Sequence, residues 1–580
     1  LDLATLRALD STGSVATVGN LSFRDADGVD FASIITIATL AVVAGGAISD
    51  SGTLAVAGAA SFKTLNDTAG AAPITLDDDG VLPLSNSFGA LALATRNALD
   101  ALPVATAVTV REDSAMDLAS LSSAGSVTLQ SNGAVSDSGA LEAASLSVTA
   151  VGGVALDAAS QIGGFSATNS STGAVTLTNN TAPTITLAGV SQGAGTGAVT
   201  IVNAGAIDVT APVSPDPGQA VSISATGLLS TSATIGAATG AGAVTLEAAD
   251  LGLGAAVRSG SGAITLRPQA LATPIRIGGA SDFALSAAEL AFVTTSGPLT
   301  IGRATHDGAI AIEGAATVAN ATGGTTLVNA AGGIAVGADF GAAGGLTLTT
   351  GGAITRSAGT LTASTGNLAL NADAGIGVIA GPAPVVVSAP SGTVSATNVS
   401  SGDLYLGTPG AVTIGVADFA LDQQVADGAV RVDSGGDLSV GGDVSVGGAG
   451  SLELNAVGTI ERTAGTLSAA TLRLGTSTPA TTTAVGASGV PILTAATTLL
   501  DARATSGAGV FISNAGNVNV TAQATSGAVD IVNAGTTTSA GDLSADTTVT
   551  VSSSDALSIG HAVTGPSGVT LGVTTADLPF

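Results

Sequence analysis

The side chains able to do acid–base or metal chemistry are few and scattered: two histidines, 42 carboxylates, 14 basic groups and no cysteine in 580 residues. The densest group is Asp25-Ala26-Asp27-Gly28-Val29-Asp30. It sets oxygen ligands at short spacing around a glycine, the way a hard cation such as calcium is held. The full twelve-residue loop pattern is not met. The calcium-binding pattern Gly-Gly-x-Gly-x-Asp is also missing, because Gly435-Gly436-Asp437 and Gly441-Gly442-Asp443 lack its second glycine spacing. In a copy of the first segment 87 residues on, Asp27 becomes Ser114 and Gly28 becomes Ala115, so the segment reads as a solvated corner. Asp77-Asp78-Asp79 reads as an exposed turn. His306, beside Asp307-Gly308, and His561, after Gly560, lie in unrelated settings without metal or triad spacing, and read as structural or surface residues. Glu112-Asp113 and Glu461-Arg462 read as exposed pairs. Glycosidic cleavage needs carboxylates on both sides of the bond, and lyase chemistry needs a base near a cation or arginine. Sugar sites also stack their ligand on aromatics, and here Trp is absent and Tyr405 is the one tyrosine. The expectation is therefore no catalytic residue, no metal site and no cofactor.

The elements that would have to position any site are read from composition and repetition. Hydrophobic residues reach 45 % while aromatics make up 2 %, with 81 glycines, so the chain folds around a thin aliphatic core. The formal charge is −28, and Lys63 is the one lysine. Such a surface repels a phosphate backbone and anionic lipid alike, which excludes nucleic acid as a partner. Without cysteine there are no disulfides or thiolate metal sites, which suits passage through an oxidising compartment. The uncharged run from Phe31 to Ile48 imitates a membrane span in length, but its β-branched, Thr-rich character favours buried strands.

Residues 21–50 align without a gap on residues 108–137, an offset of 87: Arg24 on Arg111, Asp30 on Asp117, Ala32-Ser33 on Ala119-Ser120. A second duplication spans residues 352–520 at an offset of 106, with Gly352-Ala353-Ile354-Thr355-Arg356 returning as Gly458-Thr459-Ile460-Glu461-Arg462. The small unit beneath both is a turn glycine followed by a five-residue strand, as in Gly173-Ala174-Val175-Thr176-Leu177 and Gly242-Ala243-Val244-Thr245-Leu246. Alternation along a strand points Val175, Leu177, Val199, Ile201, Val244, Leu246, Ile264 and Leu266 inward. Unit spacing predicts coils of 20–24 residues with three short strands, so the offsets of 87 and 106 correspond to about four and five coils. One coil cannot bury its aliphatic face, whereas stacked coils share a continuous core. The expected fold is all-β: a right-handed parallel β-helix, residues 1–580 forming a single elongated segment. Val202-Asn203-Ala204-Gly205 and Val532-Asn533-Ala534-Gly535 predict asparagine ladders or left-handed asparagines at corners. Ala287–Ala291 is too short to count as an amphipathic helix. A Thr-x-Thr ice-binding ladder is too irregular, Leu346-Thr347-Leu348-Thr349-Thr350 notwithstanding.

The phrases GGAISDSGTLAVAGAASF and GNLALNADAGIGV resemble the large bacterial exoproteins of the filamentous haemagglutinin type, secreted by two-partner systems, and related autotransporter passengers. The resemblance extends over most of the chain as a style of repeat. It implies a secreted, extracellular or cell-surface protein acting in adhesion, biofilm or fibre formation. Host or bacterial surface glycans would be the partner class. The Asn-Pro motifs of that family's secretion domain are absent, which leaves the secretion route open. A polysaccharide-degrading or polysaccharide-binding β-helix is the alternative function. Neither Leu1-Asp2-Leu3-Ala4-Thr5-Leu6 nor Ala576-Asp577-Leu578-Pro579-Phe580 reads as a cap, so self-association end to end or continuation of a longer chain is expected.

Overall fold

Val-Thr-Leu-type strands stack because each offers two inward aliphatic side chains and a backbone that pairs on both edges. In the computed structural model Val175, Val199, Val221, Val244 and Ile264 lie one above another, and so do Leu177, Ile201, Ile223, Leu246 and Leu266. All ten are at most 1 % exposed, so the eight residues expected to face inward do so. The ladders between strands are parallel, and successive members of a ladder come from successive coils. The structure describes residues 2–3, 18–32, 34–77, 86–180, 184–193, 195, 197–379, 384–476 and 481–574. Asp78, Asp79 and the sequences singled out at both termini lie wholly or largely outside these. The chain divides into two compact units, residues 1–270 with 291–299, and residues 271–290 with 300–580. Each is a parallel β-solenoid.

In the first unit a coil consists of three consecutive strand positions. The third position stacks Val29, Ile48, Ile74, Val108, Val127 and Leu146. The second stacks Val42, Phe62, Leu93, Leu121 and Leu141. The first includes Met116, Val135, Val154 and Val175. The membrane-like run belongs to this solenoid as the strands Val29–Phe31, Ile34–Ala44 and Ile48–Asp50. Among the described residues no helix is long and apolar enough to cross a membrane.

This geometry corrects the coil count drawn from the duplications. From Ile48 the stack rises through Ile74 and Val108 to Val127, three coils, and Val135, the counterpart of Ile48 at offset 87, is the next strand along the chain. The offset is thus three coils plus one strand. Ile48 stands in the third position and Val135 in the first; Leu40 stands in the second and Val127 in the third. Fewer coils fit because the connections at residues 66–73 and 97–107 are long. In the second unit Ile354 stacks through Ile376, Leu404 and Val430 to Leu452, four coils, whereas its counterpart Ile460 stacks on Leu438 and Val412. Here too the copy is displaced by one strand. What survives the displacement is the direction of each side chain: Val29 and Met116, Phe31 and Leu118, Val42 and Leu129, Ile48 and Val135, and Leu54 and Leu141 are all buried.

Local chemistry also travels with the sequence. A Cβ on Gly52 would overlap the Ala32 carbonyl oxygen, and one on its counterpart Gly139 would overlap that of Ala119, so both copies need glycine where coils approach closely. Arg356 and Arg462 each donate from Nε to the carbonyl three residues on, Gly359 and Gly465. Both glycines have φ in the left-handed region, +79° and +75°. Interior asparagines pair along the stack: Asn179 Nδ2 donates to Asn203 Oδ1 (3.0 Å), and Asn514 Nδ2 to Asn533 Oδ1 (2.9 Å). Of the two expectations for them the ladder holds, since among the described residues only Asp100 and Asp282 combine a side chain with positive φ. Ala287–Ala291 is a five-residue helix started by a reciprocal cap. Glu289 accepts from the Ser286 amide (2.8 Å), and the Ser286 hydroxyl accepts from the Glu289 amide (3.2 Å).

Candidate functional site

Several of the acidic groups belong to corners, and the structure shows what they do there. Asp437 Oδ1 accepts the amide (2.8 Å) and hydroxyl (3.1 Å) of Thr459 in the following coil. Asp339, Asp403, Asp427 and Asp443 likewise accept the amides of Thr360, Ala429, Ala449 and Thr466 at 2.8–3.0 Å. Backbone donors at loop corners have no ladder partner, so a carboxylate one coil away satisfies them. Asp137 does the same for Asp157 and Ala158 at 2.8 and 3.2 Å, and burial pushes its carboxyl above the ordinary value.

The residues singled out in the sequence do not converge on one another. Asp25 accepts the Asp27 amide (3.0 Å), and Asp30 accepts the hydroxyls of Ser49 (2.9 Å) and Ser51 (2.7 Å). In the second copy Asp117 accepts the Ser138 hydroxyl at 2.9 Å. The Asp77 amide donates to the buried Asp50 (2.7 Å), whose other oxygen accepts from Asn86 (2.7 Å). His306 is fully buried, and burial, reinforced by the nearby Arg303 charge, holds its pKa below the usual imidazole value. His561 is exposed, its Nδ1 3.0 Å from the Ser539 carbonyl. Among the described residues no three His, Cys, Asp or Glu side chains are grouped to hold a metal ion.

Three features were not foreseen. Glu112, read with Asp113 as an exposed pair, is fully buried: Oε1 accepts from the Phe88 amide (2.9 Å) and the Ser114 hydroxyl (2.8 Å), while Oε2 has no hydrogen-bond partner. Burial raises its pKa to about 7 against those two hydrogen bonds. Tyr405 is only 2 % exposed, covered by the Arg431 guanidinium 4.6 Å above its ring, and its hydroxyl donates to Asp433. Arg431 also pairs with Asp433 (3.0 Å) and Glu453 (3.4 Å), and Asn455 donates to both carboxylates at 2.9 Å. Parallel stacking brings these residues together from three successive strands, a register that no local motif reveals, and it leaves Tyr405 no open face for a sugar. The third feature is the long corner at residues 97–103, the most apolar projection from the first unit, with Leu99 and Leu102 in solvent.

Fold and site together define a parallel β-solenoid repeat protein whose charged side chains join coil to coil. Two stretches, residues 18–95 and 105–178, match a family model described as repeats of unknown function (DUF5649). They begin at residues 18 and 105, 87 apart, the offset of the first duplication. No curated protein and no solved structure matches the chain.

Proposed function

We propose that this chain is a structural and adhesive β-solenoid, a secreted, extracellular or cell-surface element of a bacterial filament or adhesin of the haemagglutinin-like kind, and that it is not an enzyme. The observation that carries the reading is the use of corner carboxylates as coil-to-coil hydrogen-bond acceptors, not as a converging pair in a cleft. A stack held by the same short-range bonds at every coil resists pulling along its length and offers side chains at regular intervals. Association with a further coil, of the same chain or another copy, is part of the proposal.

Single-molecule stretching of the full chain tests the mechanical half. Release of length in steps of one coil is expected, and extension without force-bearing steps would refute it. Turnover of a polysaccharide, abolished by substituting one carboxylate, would refute the non-catalytic half.

A further inference from the structure

His306 joins an imidazole, the group that ordinarily changes charge closest to neutral pH, to complete burial. Neither ring nitrogen has an aligned hydrogen-bond partner. A Cβ on Gly308 would stand 2.7 Å from His306 Nε2 and 2.6 Å from the Thr273 carbonyl oxygen, so main chain packs directly on the ring. Polar side chains stacked beyond it are bonded. Asn329 in the following coil donates to the Gly308 and Gly333 carbonyls (2.9 Å each), and Thr350, one coil further, accepts the Gly352 amide (3.0 Å).

The corner at residues 303–308 ties its coil to both neighbours. The Asp307 and Gly308 amides donate to the Leu271 carbonyl (2.8 and 3.1 Å), and the His306 carbonyl accepts the Ala330 amide (2.6 Å). The charges acting on the ring are Arg303 and Asp307 of the same corner: the first opposes a second cation, and the second, which is exposed, favours it. Residues 271–273 and 325–333, packed against the corner on its two sides, carry no acidic or basic side chain.

We propose that this corner is an acid-sensitive joint: it closes only over a neutral His306, so protonation opens it and releases the coil bonded to it. A cation enclosed without a partner and beside another cation is strongly unfavourable, and opening returns it to water. In keeping with this, burial and Arg303 hold the imidazole below its ordinary 6.5, against the pull of the Thr273 carbonyl and Asp307. The sign follows. Above pH 6.5 the ring is neutral whether the corner is open or closed. Below it the open corner takes up a proton first, so closure weakens as pH falls until the closed ring itself titrates.

Hydrogen exchange of the full chain between about pH 7.5 and about pH 5, corrected for the intrinsic rate, tests the joint. Opening at the amides of Asp307, Gly308 and Ala330 is expected to grow about tenfold for each unit of pH below 6.5. The amides of Gly509–Ala515, in the same unit, should keep their protection, and His306→Asn should make opening at the corner independent of pH. Protection at the corner that ignores pH in the parent, the same pH dependence in His306→Asn, or an equal change at Gly509–Ala515 would overturn the proposal. A second measurement leaves the corner untouched. In His561→Gln, a change at an exposed residue, one histidine remains, and its imidazole NMR signal should stay that of the neutral ring as pH passes below 6.5. Titration at or above 6.5 would overturn the proposal equally.

Discussion

Glu112 is held with one oxygen hydrogen-bonded and the other buried without a partner, and this fixes a pH response. Its folded pKa of about 7 lies above the ordinary 4.5, so between these values the folded chain holds a proton that the unfolded chain releases. Stability from this site is complete below pH 4.5 and is lost as pH rises towards 7, on the order of 3 kcal/mol in all. Glu112→Gln cannot ionise. The variant should therefore gain stability relative to the parent between pH 5 and pH 8, by roughly 2 kcal/mol, read from urea midpoints. Parallel pH profiles would refute the assignment. The burial of Glu112 was legible in principle: Val108 and Val110 point inward, and extending the alternation by one more pair places Glu112 inward too. Charge type overrode period in the reading. The Tyr405 cluster was not legible, because its members meet only once the register between coils is known.

At the level of the strand and its corner, two kinds of polar link should be separable. Buried asparagines have alternatives only inside the stack. Asn533 accepts from Asn514 and donates to the Thr537 hydroxyl (2.9 Å), so Asn533→Ala strands partners away from water. A loss of about 1–3 kcal/mol is expected, with less than additive loss when Asn514→Ala is added. Hydrogen exchange of the amides in Gly509–Ala515 and Ala528–Ala534 is the suitable measure, since a solenoid need not unfold all at once. Corner carboxylates are more exposed. Asp437→Ala should cost about 1 kcal/mol and speed exchange at Thr459, while Asp437→Asn, which keeps the acceptor, should cost less. Equal effects of the two substitutions would argue against the hydrogen bond as the cause. Strand alternation, turn glycines and the asparagine ladders were visible in the sequence because each is a property of a few neighbouring residues. The carboxylate links were not, because donor and acceptor lie one coil apart and coil length varies.

For the chain as a whole, the displacement of each duplication by one strand separates two meanings of repeat. The first duplication recurs after 87 residues, while the first unit returns to the same stack from Val29 to Val108, 108 − 29 = 79 residues. Removing residues 30–108 leaves every later strand in its own position, whereas removing residues 31–117, the cut an alignment recommends, advances every later strand by one. The 79-residue deletion should melt close to the parent and the 87-residue deletion well below it, in paired calorimetric scans. The reverse order would show that strands are indifferent to position. Sequence alone could not supply this distinction, since inward and outward directions are the same in both copies. Five of the corner links in the second unit share a polarity, the reverse of Glu112 with Phe88: in Asp339, Asp403, Asp427, Asp437 and Asp443 the acceptor stands on the earlier coil and the amide on the later one. A completed coil therefore exposes acceptors already set for the backbone that arrives next. Emergence from the N-terminal end would let such a chain template its own growth, each layer guiding the next into register before the rest of the polypeptide exists in space.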